Sequence, residues 1–398
     1  MLGWVLLLNL VLLVFTLLLM MPMVVVSVEC MMAFCKRSED EKYIRSVDRP
    51  RIGVLVPAHN EEAVIANAIS SILNQLVDGD QLLVVADNCT DNTVAIASNS
   101  NVHVIERVDE RYTGKGYALD AGIREFEKDP PEVIIVIDAD CEMTEGTIEN
   151  LAKKAVYLQR PAQAVYLIRS KGKPFSSYEI FGQFAWVVKN WVRPLGLNCL
   201  GLPCMLTGSG MAFPWLVARD ADFACGHIAE DLKLGLDMIL DRKPPVFCLD
   251  AVVTSYFPAE NYEQEYQRRR WEHGYLDIGF RYVPRLWFHG IRHLMFQCLA
   301  ISFDLMVPPL ALLFLLLLLG LSVTGAGFMF DNSLPFFMLS GMSIVFLLVL
   351  LLVRNKFASD VISVGQLLRF PLYVCMKLPL YWGFLVDRET RWRDADKK

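Results

Sequence analysis

Two aspartates one residue apart, Asp138 and Asp140, follow the aliphatic run Val133-Ile-Ile-Val-Ile137. In extended backbone, residues i and i+2 leave the chain on the same side, so both carboxylates can converge on one hard cation and, through it, on a diphosphate. Acidic pairs are common on protein surfaces. A pair at the end of a buried strand is different, because desolvated carboxylates there need a ligand or a partner.

Three other segments carry residue types suited to the same chemistry. Gln267-Arg-Arg-Arg-Trp271 places consecutive arginines on a helical stretch. They cannot all face one way, so one or two could clamp a phosphate through planar bidentate contacts while the rest suit lipid headgroups. Ala229-Glu-Asp-Leu-Lys-Leu-Gly235 opens a helix on two adjacent carboxylates, Glu230 and Asp231. Adjacent helical residues diverge by about 100°, so only one of the two can point into a given cleft. Thr113-Gly-Lys-Gly116 lacks the spacing and the Ser or Thr of a Walker A loop. It reads either as a Gly-flanked Lys115 near a nucleotide or as a helix N-terminal turn with a solvated lysine. Leu206-Thr-Gly-Ser-Gly-Met-Ala-Phe213 reads as an apolar strand containing two glycines, which admits a ligand close to the backbone or a tight bend.

The elements that must position these groups are short β-branched runs separated by polar helical stretches: Ile52–Val56, Gln81–Ala86, Val102–Ile105 and Val133–Ile137. Continuously apolar strands are buried on both faces, and the intervening stretches are long enough for crossover helices, which predicts a parallel α/β sheet. Ligands of such sheets collect at the carboxyl ends of the strands. The polar clusters fall there: Pro57-Ala-His-Asn-Glu-Glu62, Asp87-Asn-Cys-Thr-Asp91 and Asp138-Ala-Asp140.

The 398 residues are 54% hydrophobic and 21% charged, with a mean hydropathy of +0.36. That composition argues against a purely soluble enzyme or a disordered regulator. A net charge of -6 offers no cationic field for a phosphodiester backbone, so no nucleic-acid partner is expected. The ten cysteines form no C-x-x-C pair and read as reduced thiols.

Three runs, Met1–Val28, Leu305–Phe330 and Leu334–Val353, contain no charged residue. Each is long enough to cross roughly 30 Å of hydrocarbon. The first lacks a basic start and a cleavage site and reads as an uncleaved anchor. Lys36, Arg37, Arg292, Arg354 and Lys356 flank the runs, whereas the Asp331-Asn-Ser333 connection has no basic residue; the large middle segment should therefore be cytoplasmic. The Asn88-Cys89-Thr90 sequon is then an accident. Val364–Val386 is interrupted by Arg369, Pro371, Lys377 and Pro379 and suits a helix lying in the interface. Val187–Leu202 fits either an interfacial or an amphipathic core helix. The expected organisation is an N-terminal transmembrane helix over 1–29, a cytoplasmic catalytic domain over 50–290, two transmembrane helices over 291–353, and an interfacial helix with a cytoplasmic tail over 354–398. In the tail, Arg388-Glu-Thr-Arg-Trp-Arg393 reads as a membrane-surface anchor in preference to a segment that folds over the active site.

Taken in order, Val56-Pro-Ala-His-Asn-Glu-Glu62, Asp87-Asn-Cys-Thr-Asp91, Asp138-Ala-Asp140, Thr207-Gly-Ser-Gly210, Glu230-Asp231 and Gln267-Arg-Arg-Arg-Trp271 resemble the membrane-bound family 2 glycosyltransferases. The resemblance spans about residues 51 to 275. It implies a GT-A fold, a Rossmann-like α/β domain with a mostly parallel sheet and flanking transmembrane helices. It also implies a nucleoside-diphosphate sugar donor (a UDP-sugar ahead of a GDP-sugar), Mg²⁺ or Mn²⁺, hexosyl transfer with anomeric inversion, and a polysaccharide or lipid-linked acceptor at the membrane.

Carried over by position, Pro57, Glu61 and Asp87 would line the nucleoside pocket, with Lys115 near the base or diphosphate. Asp138 would contact nucleoside or metal, and Asp140 would bind the metal. Asp231 matches the general base and Arg270 faces the leaving diphosphate. Gln267 and Trp271 face the acceptor. The implied partners are the donor, the acceptor, the lipid bilayer, and polysaccharide export or synthase proteins; the implied location is a bacterial inner (plasma) membrane. Three spans are few for a self-contained polymer channel. The competing expectation is a catalytically silent membrane scaffold of a polysaccharide export assembly, which would bind no UDP.

Overall fold

Strands β1 (Ile52–Ala58), β2 (Gln81–Asp87) and β4 (Val133–Val136) are buried along almost their whole length, which requires a sheet covered on both faces. The computed structural model describes residues 2–35, 46–170, 177–258, 261–330, 332–367, 369–370, 373–374 and 377–386. They fall into two compact units: an α/β unit drawn from 46–170 and 201–282, and an apolar helical unit drawn from 2–35, 177–200 and 283–386.

The α/β unit is built on an eight-stranded sheet of order β3-β2-β1-β4-β7-β6-β8-β5, with β3 His103–Arg107, β5 Glu142–Met143, β6 Ala162–Arg169, β7 Met211–Pro214 and β8 Val246–Tyr256. The pairs β1·β2, β1·β4, β2·β3 and β6·β8 are parallel; β4·β7, β6·β7 and β5·β8 are antiparallel. Helices Ile65–Leu73, Thr93–Asn99 and Lys115–Phe126 make the crossovers of the parallel half. Leu55, Leu83, Leu119, Ile123, Phe126, Ile134, Phe213 and Phe223 form a core between that half and its helices.

This topology decides which residues meet. The carboxyl ends of β1, β2 and β4 share one edge, and Ile137 extends β4 by donating to the Leu55 carbonyl at 3.1 Å. Because β7 runs antiparallel to β4, with Met211 opposite Val136, its amino end delivers the Thr207–Gly210 segment to that same edge. Two antiparallel steps followed by a parallel one make β8 co-directional with β4, so Ser255 and Tyr256 arrive there as well. One expectation needs correction. Gly208 and Gly210 do not lie within a strand: β7 begins only at Met211, and both glycines sit in the preceding turn at φ +93° and +69°.

In the helical unit, Asn9–Met32 and Leu334–Phe357 are long and apolar enough to cross a membrane. The expected continuous span over Leu305–Phe330 is instead broken: helices Phe296–Leu305 and Leu310–Ala326 meet at 73°, and they make a third span only if counted as one bent element. Pro308 and Pro309 lie at the break, where they remove backbone donors and crowd the preceding turn. The Val187–Leu202 stretch resolves into helices Ser177–Val187 and Arg193–Cys199 joined by a π-turn, Val188–Val192. Although expected within a domain over 50–290, this stretch packs among the apolar helices.

Arg193 is buried there between Glu29, 2.6 Å away, and Asp304, so the charge is compensated on both sides. Of the Val364–Val386 stretch, Val364–Leu367 and Leu378–Val386 are helical; Arg388–Arg393 lies outside the described residues.

Gly196 sits so close to the first helix that an added Cβ would collide with the Glu29 carbonyl oxygen. Gly196→Val should therefore force the two helices apart at a cost of roughly 1–3 kcal/mol or more. Size-exclusion profiles of the detergent-extracted chain should show loss of the monodisperse peak; an unchanged profile would contradict the packing.

Candidate active site

At the sheet edge the Asp138 amide donates to Ser209 Oγ at 3.0 Å, which pins the turn after β4 to the Thr207–Gly210 segment. The Asp138 carboxylate meets Lys115 Nζ at 2.5 Å, and the same ammonium donates to the Gly208 carbonyl at 2.8 Å. Lys115 begins its helix after Gly114, whose φ of 120° suits glycine. The lysine at the helix start is thus bridged across the edge, which removes the solvated alternative. Ser255 Oγ donates to Asp140 Oδ2 at 2.7 Å and fixes that carboxylate's rotation.

One ligand atom from each of Asp138, Asp140 and Cys141 lies within 4.8 Å of the others, a spacing suited to a single cation. Burial, reinforced by Asp140 and Asp138, pushes the Cys141 thiol well above its ordinary value. The two carboxylates offer an oxygen set that suits a hard cation.

The acidic helix Glu230–Leu240 closes the other side. A Cβ on Gly208 would lie 3.2 Å from Asp231 Oδ2 and 3.5 Å from Lys115 Nζ. Asp231, Gly208 and Lys115 therefore crowd one point. Asp231 Oδ1 accepts the Leu232 amide at 2.7 Å, and Glu230 and Asp231 both line a small cleft with Gly116, Met211 and Phe223.

Burial alone would lower the Lys115 ammonium, but Asp138, Glu230 and Asp231 outweigh it and hold the group above its ordinary value. Desolvation, with Asp140 and Asp231 adding to it and Lys115 opposing, raises the Asp138 carboxyl. Burial and the neighbouring Asp231 push Glu230 up to about 7 against the pull of Lys115 and Arg270.

Arg270 reaches this cluster because its helix, Asn261–Arg292, docks on the segment before Glu230. Gly274, one turn beyond Arg270, is close enough that a Cβ would stand 3.1 Å from Ile228 Cγ1 and Ala229 Cβ. Gln267 is one turn before Arg270 on the same helix, and its buried Oε1 has no hydrogen-bond partner among the described residues. Trp271 is half-buried beside it.

On the far side, Asp87 ends β2 next to the Pro57–Ala58 end of β1. Its carboxyl is raised by burial, against the bonds it accepts from Arg107, 2.6 Å away, and from the Gly114 amide. That amide ties Asp87 to the Lys115 helix start. The Glu61 amide donates to Thr93 Oγ1 at 2.8 Å, anchoring the loop after β1.

The geometry thus joins Lys115, Asp138, Asp140, Glu230, Asp231 and Arg270 through mutual charge, and sets Asp87, with Pro57 and Glu61, at the adjoining strand ends. Residues 53–193 match the family model described as Glycosyl transferase family 2. This segment is similar to family 2 glycosyltransferases.

In sequence, a probable glycosyltransferase of Bacillus subtilis, YdaM, is 36% identical over 99 residues, 23% of this chain and 23% of that protein. The uncharacterized protein MJ1222 of Methanocaldococcus jannaschii is 30% identical over 114 residues, 29% of this chain and 45% of that protein. The chain thus spans less than half the length of the curated relatives it matches. In structure, the mannosyltransferase PcManGT of Pyrobaculum calidifontis, solved in complex with GDP-Man and Mn²⁺, superposes with a TM-score of 0.53 at 16% identity, covering 94% of this chain and 100% of that one. At that identity the likeness is one of fold, the GT-A fold.

The sequence reading missed Arg107, Gln163 and Ser255. Gln163 is buried on β6 and uses both ends of its amide on the glycine turn, accepting the Thr207 amide at 2.9 Å and donating to the Ser209 carbonyl at 2.9 Å. Each of these residues lies in an unremarkable strand and is joined to the site only across the sheet. Ser209 lay inside the quoted glycine segment but had no assigned task.

Because Glu230 has a folded value of about 7 against an ordinary 4.5, the folded chain binds this proton more tightly than the unfolded chain does. Its contribution to stability is complete below about pH 4.5 and is lost as pH rises through about 7. Glu230→Gln should therefore flatten the fall in melting temperature between pH 5 and 8. Parallel pH profiles for wild type and variant would contradict the burial of this carboxyl.

Proposed function

We propose that the chain is an inverting, metal-dependent hexosyltransferase that moves a sugar from a nucleoside-diphosphate donor, a UDP-sugar by preference, to a polysaccharide or lipid-linked acceptor at the cytoplasmic face of a membrane. The carrying observation is the convergence of Asp138, Asp140, Asp231, Lys115 and Arg270 at one sheet edge in a chain similar, over 53–193, to family 2 glycosyltransferases. The basic residues flanking the apolar runs support the cytoplasmic placement.

Asp138 and Asp140 are the residues that would hold Mg²⁺ or Mn²⁺, and the bound cation would neutralise charge on the diphosphate as its bond to the sugar breaks. Asp138, Asp140, Glu230 and Asp231 gather around Lys115 and Arg270, a carboxyl-rich setting that favours a divalent ion. Pro57, Glu61 and Asp87 are assigned to the nucleoside, Asp87 as a hydrogen-bond acceptor.

The acceptor hydroxyl attacks the anomeric carbon from the face opposite the diphosphate. Asp231 takes the hydroxyl proton as the new bond forms, and the electron pair of the breaking bond leaves on the diphosphate oxygen, beside Lys115 and Arg270. Asp231 is preferred to Glu230 because its carboxylate stands against Gly208, where only a hydrogen intervenes, whereas burial and the neighbouring Asp231 raise the Glu230 carboxyl. A single displacement of this kind inverts the sugar and needs no covalent enzyme intermediate. Gln267, with its buried amide oxygen open to a donor, and Trp271 are assigned to the acceptor mouth.

Membranes carrying Asp231→Asn should lose sugar transfer by about 10²- to 10⁴-fold while retaining metal-dependent UDP binding. Full transfer by that variant would remove Asp231 as the base. Absence of metal-dependent UDP binding by the wild-type chain would remove the enzyme reading as a whole.

A further inference from the structure

His227 takes no part in the chemistry above, yet both of its ring nitrogens are committed. The Ala229 amide donates to Nδ1 at 3.0 Å, which makes Nδ1 an acceptor and leaves the neutral ring's proton on Nε2. Nε2 stands 3.1 Å from Asp277 Oδ2. Asp277 is buried, and the same oxygen takes the Arg281 Nε at 2.8 Å, so this carboxylate is held from both sides.

The two bonds of His227 belong to different parts of the site. Ala229 is the cap residue directly before Glu230 and Asp231. Asp277 lies on the helix that carries Gln267, Arg270 and Trp271, two turns beyond Arg270. Further contacts run along the same seam: Gly274 against Ile228 and Ala229, and Tyr282 OH donating to Asp237 at 2.8 Å. A side chain bonded at once to the start of one helix and to the face of the other fixes the first relative to the second. The backbone group it engages is also one of the otherwise unsatisfied donors of a helix start.

We propose that His227 is a positioning residue for the transfer reaction: in its Nε2–H tautomer it pins the helix start bearing Asp231 to the helix bearing Arg270, and so sets the separation between proton acceptor and leaving-group cation. This rests on the reading of Asp231 and Arg270 given above. Misplacing either group by an ångström would weaken the transition state without removing donor binding, because Lys115, Asp138 and Asp140 are held by bonds independent of His227.

The test uses the full chain in detergent. His227→Asn keeps an acceptor for the Ala229 amide but is too short to reach Asp277. His227→Gln can reach Asp277 with its amide nitrogen. The expected result is a kcat roughly tenfold to hundredfold lower in His227→Asn, with UDP affinity, KM for the donor and melting temperature near wild type, and partial recovery of kcat in His227→Gln. Unchanged kcat in His227→Asn, or losses of kcat and melting temperature in step in both variants, would overturn the proposal. Nitrogen-15 spectra of the histidine ring in the wild-type chain give a readout that needs no turnover: a proton on Nε2 is expected, and a proton on Nδ1 would overturn the clamp. Should wild type transfer no sugar from any nucleotide donor, the functional reading fails, and the ring spectrum still decides whether the clamp exists.

Discussion

One ammonium group, that of Lys115, holds the site together. It spans from the Asp138 carboxylate at the end of a parallel strand to the Gly208 carbonyl in the turn before an antiparallel one, and it faces Glu230 and Asp231 on the acidic helix. Without a cation at that point, several carboxyl groups would meet in a partly desolvated space, and mutual repulsion would separate the elements carrying them. The lysine is itself positioned by its helix, whose first turn is tied to the neighbouring strand end through the Gly114 amide and Asp87.

The same economy governs the rest of the edge. Neutral side chains brace the backbone and one carboxylate of this edge: Ser209 at the Asp138 amide, Ser255 at the Asp140 carboxylate, Gln163 behind the glycine turn. These bonds come from β6, β7 and β8 or the turns joined to them, the half of the sheet that departs from simple parallel order. The parallel half supplies a Rossmann-like platform, and the mixed half supplies the rigid supports for the carboxylates. The GT-A fold can be understood as the join of these two tasks along one strand pair, β4 and β7.

Much of this was legible in the sequence, and the reasons are physical. Aliphatic runs such as Ile52–Val56 and Val133–Ile137 announce buried parallel strands whatever follows them, and polar clusters at their carboxyl ends mark the ligand edge. Asp138 and Asp140 were legible because alternation puts i and i+2 on one side. Lys115 was ambiguous, since whether a helix-start lysine is solvated or bridged depends on Gly208, distant in sequence and near only after β7 pairs with β4. Position in the motif, rather than local geometry, favoured Asp231 over Glu230. Arg107, Gln163, Ser255 and His227 were illegible because each acts through a cross-strand or interhelical bond with no local pattern. In the apolar unit, hydropathy exposed the runs but not the 73° break at the proline pair within one of them, because composition averages over the two residues that cause it.

The central claim is that strand-end aspartates and the guanidinium of the long helix grip one diphosphate from opposite ends, with Lys115 between them. The most direct measurement is a structure of the full chain with UDP and Mn²⁺, using the anomalous signal to place the metal. The account predicts Mn²⁺ on Asp140 and the diphosphate extending toward Lys115 and Arg270. Metal density away from Asp140, or a diphosphate that Arg270 cannot approach, would contradict it.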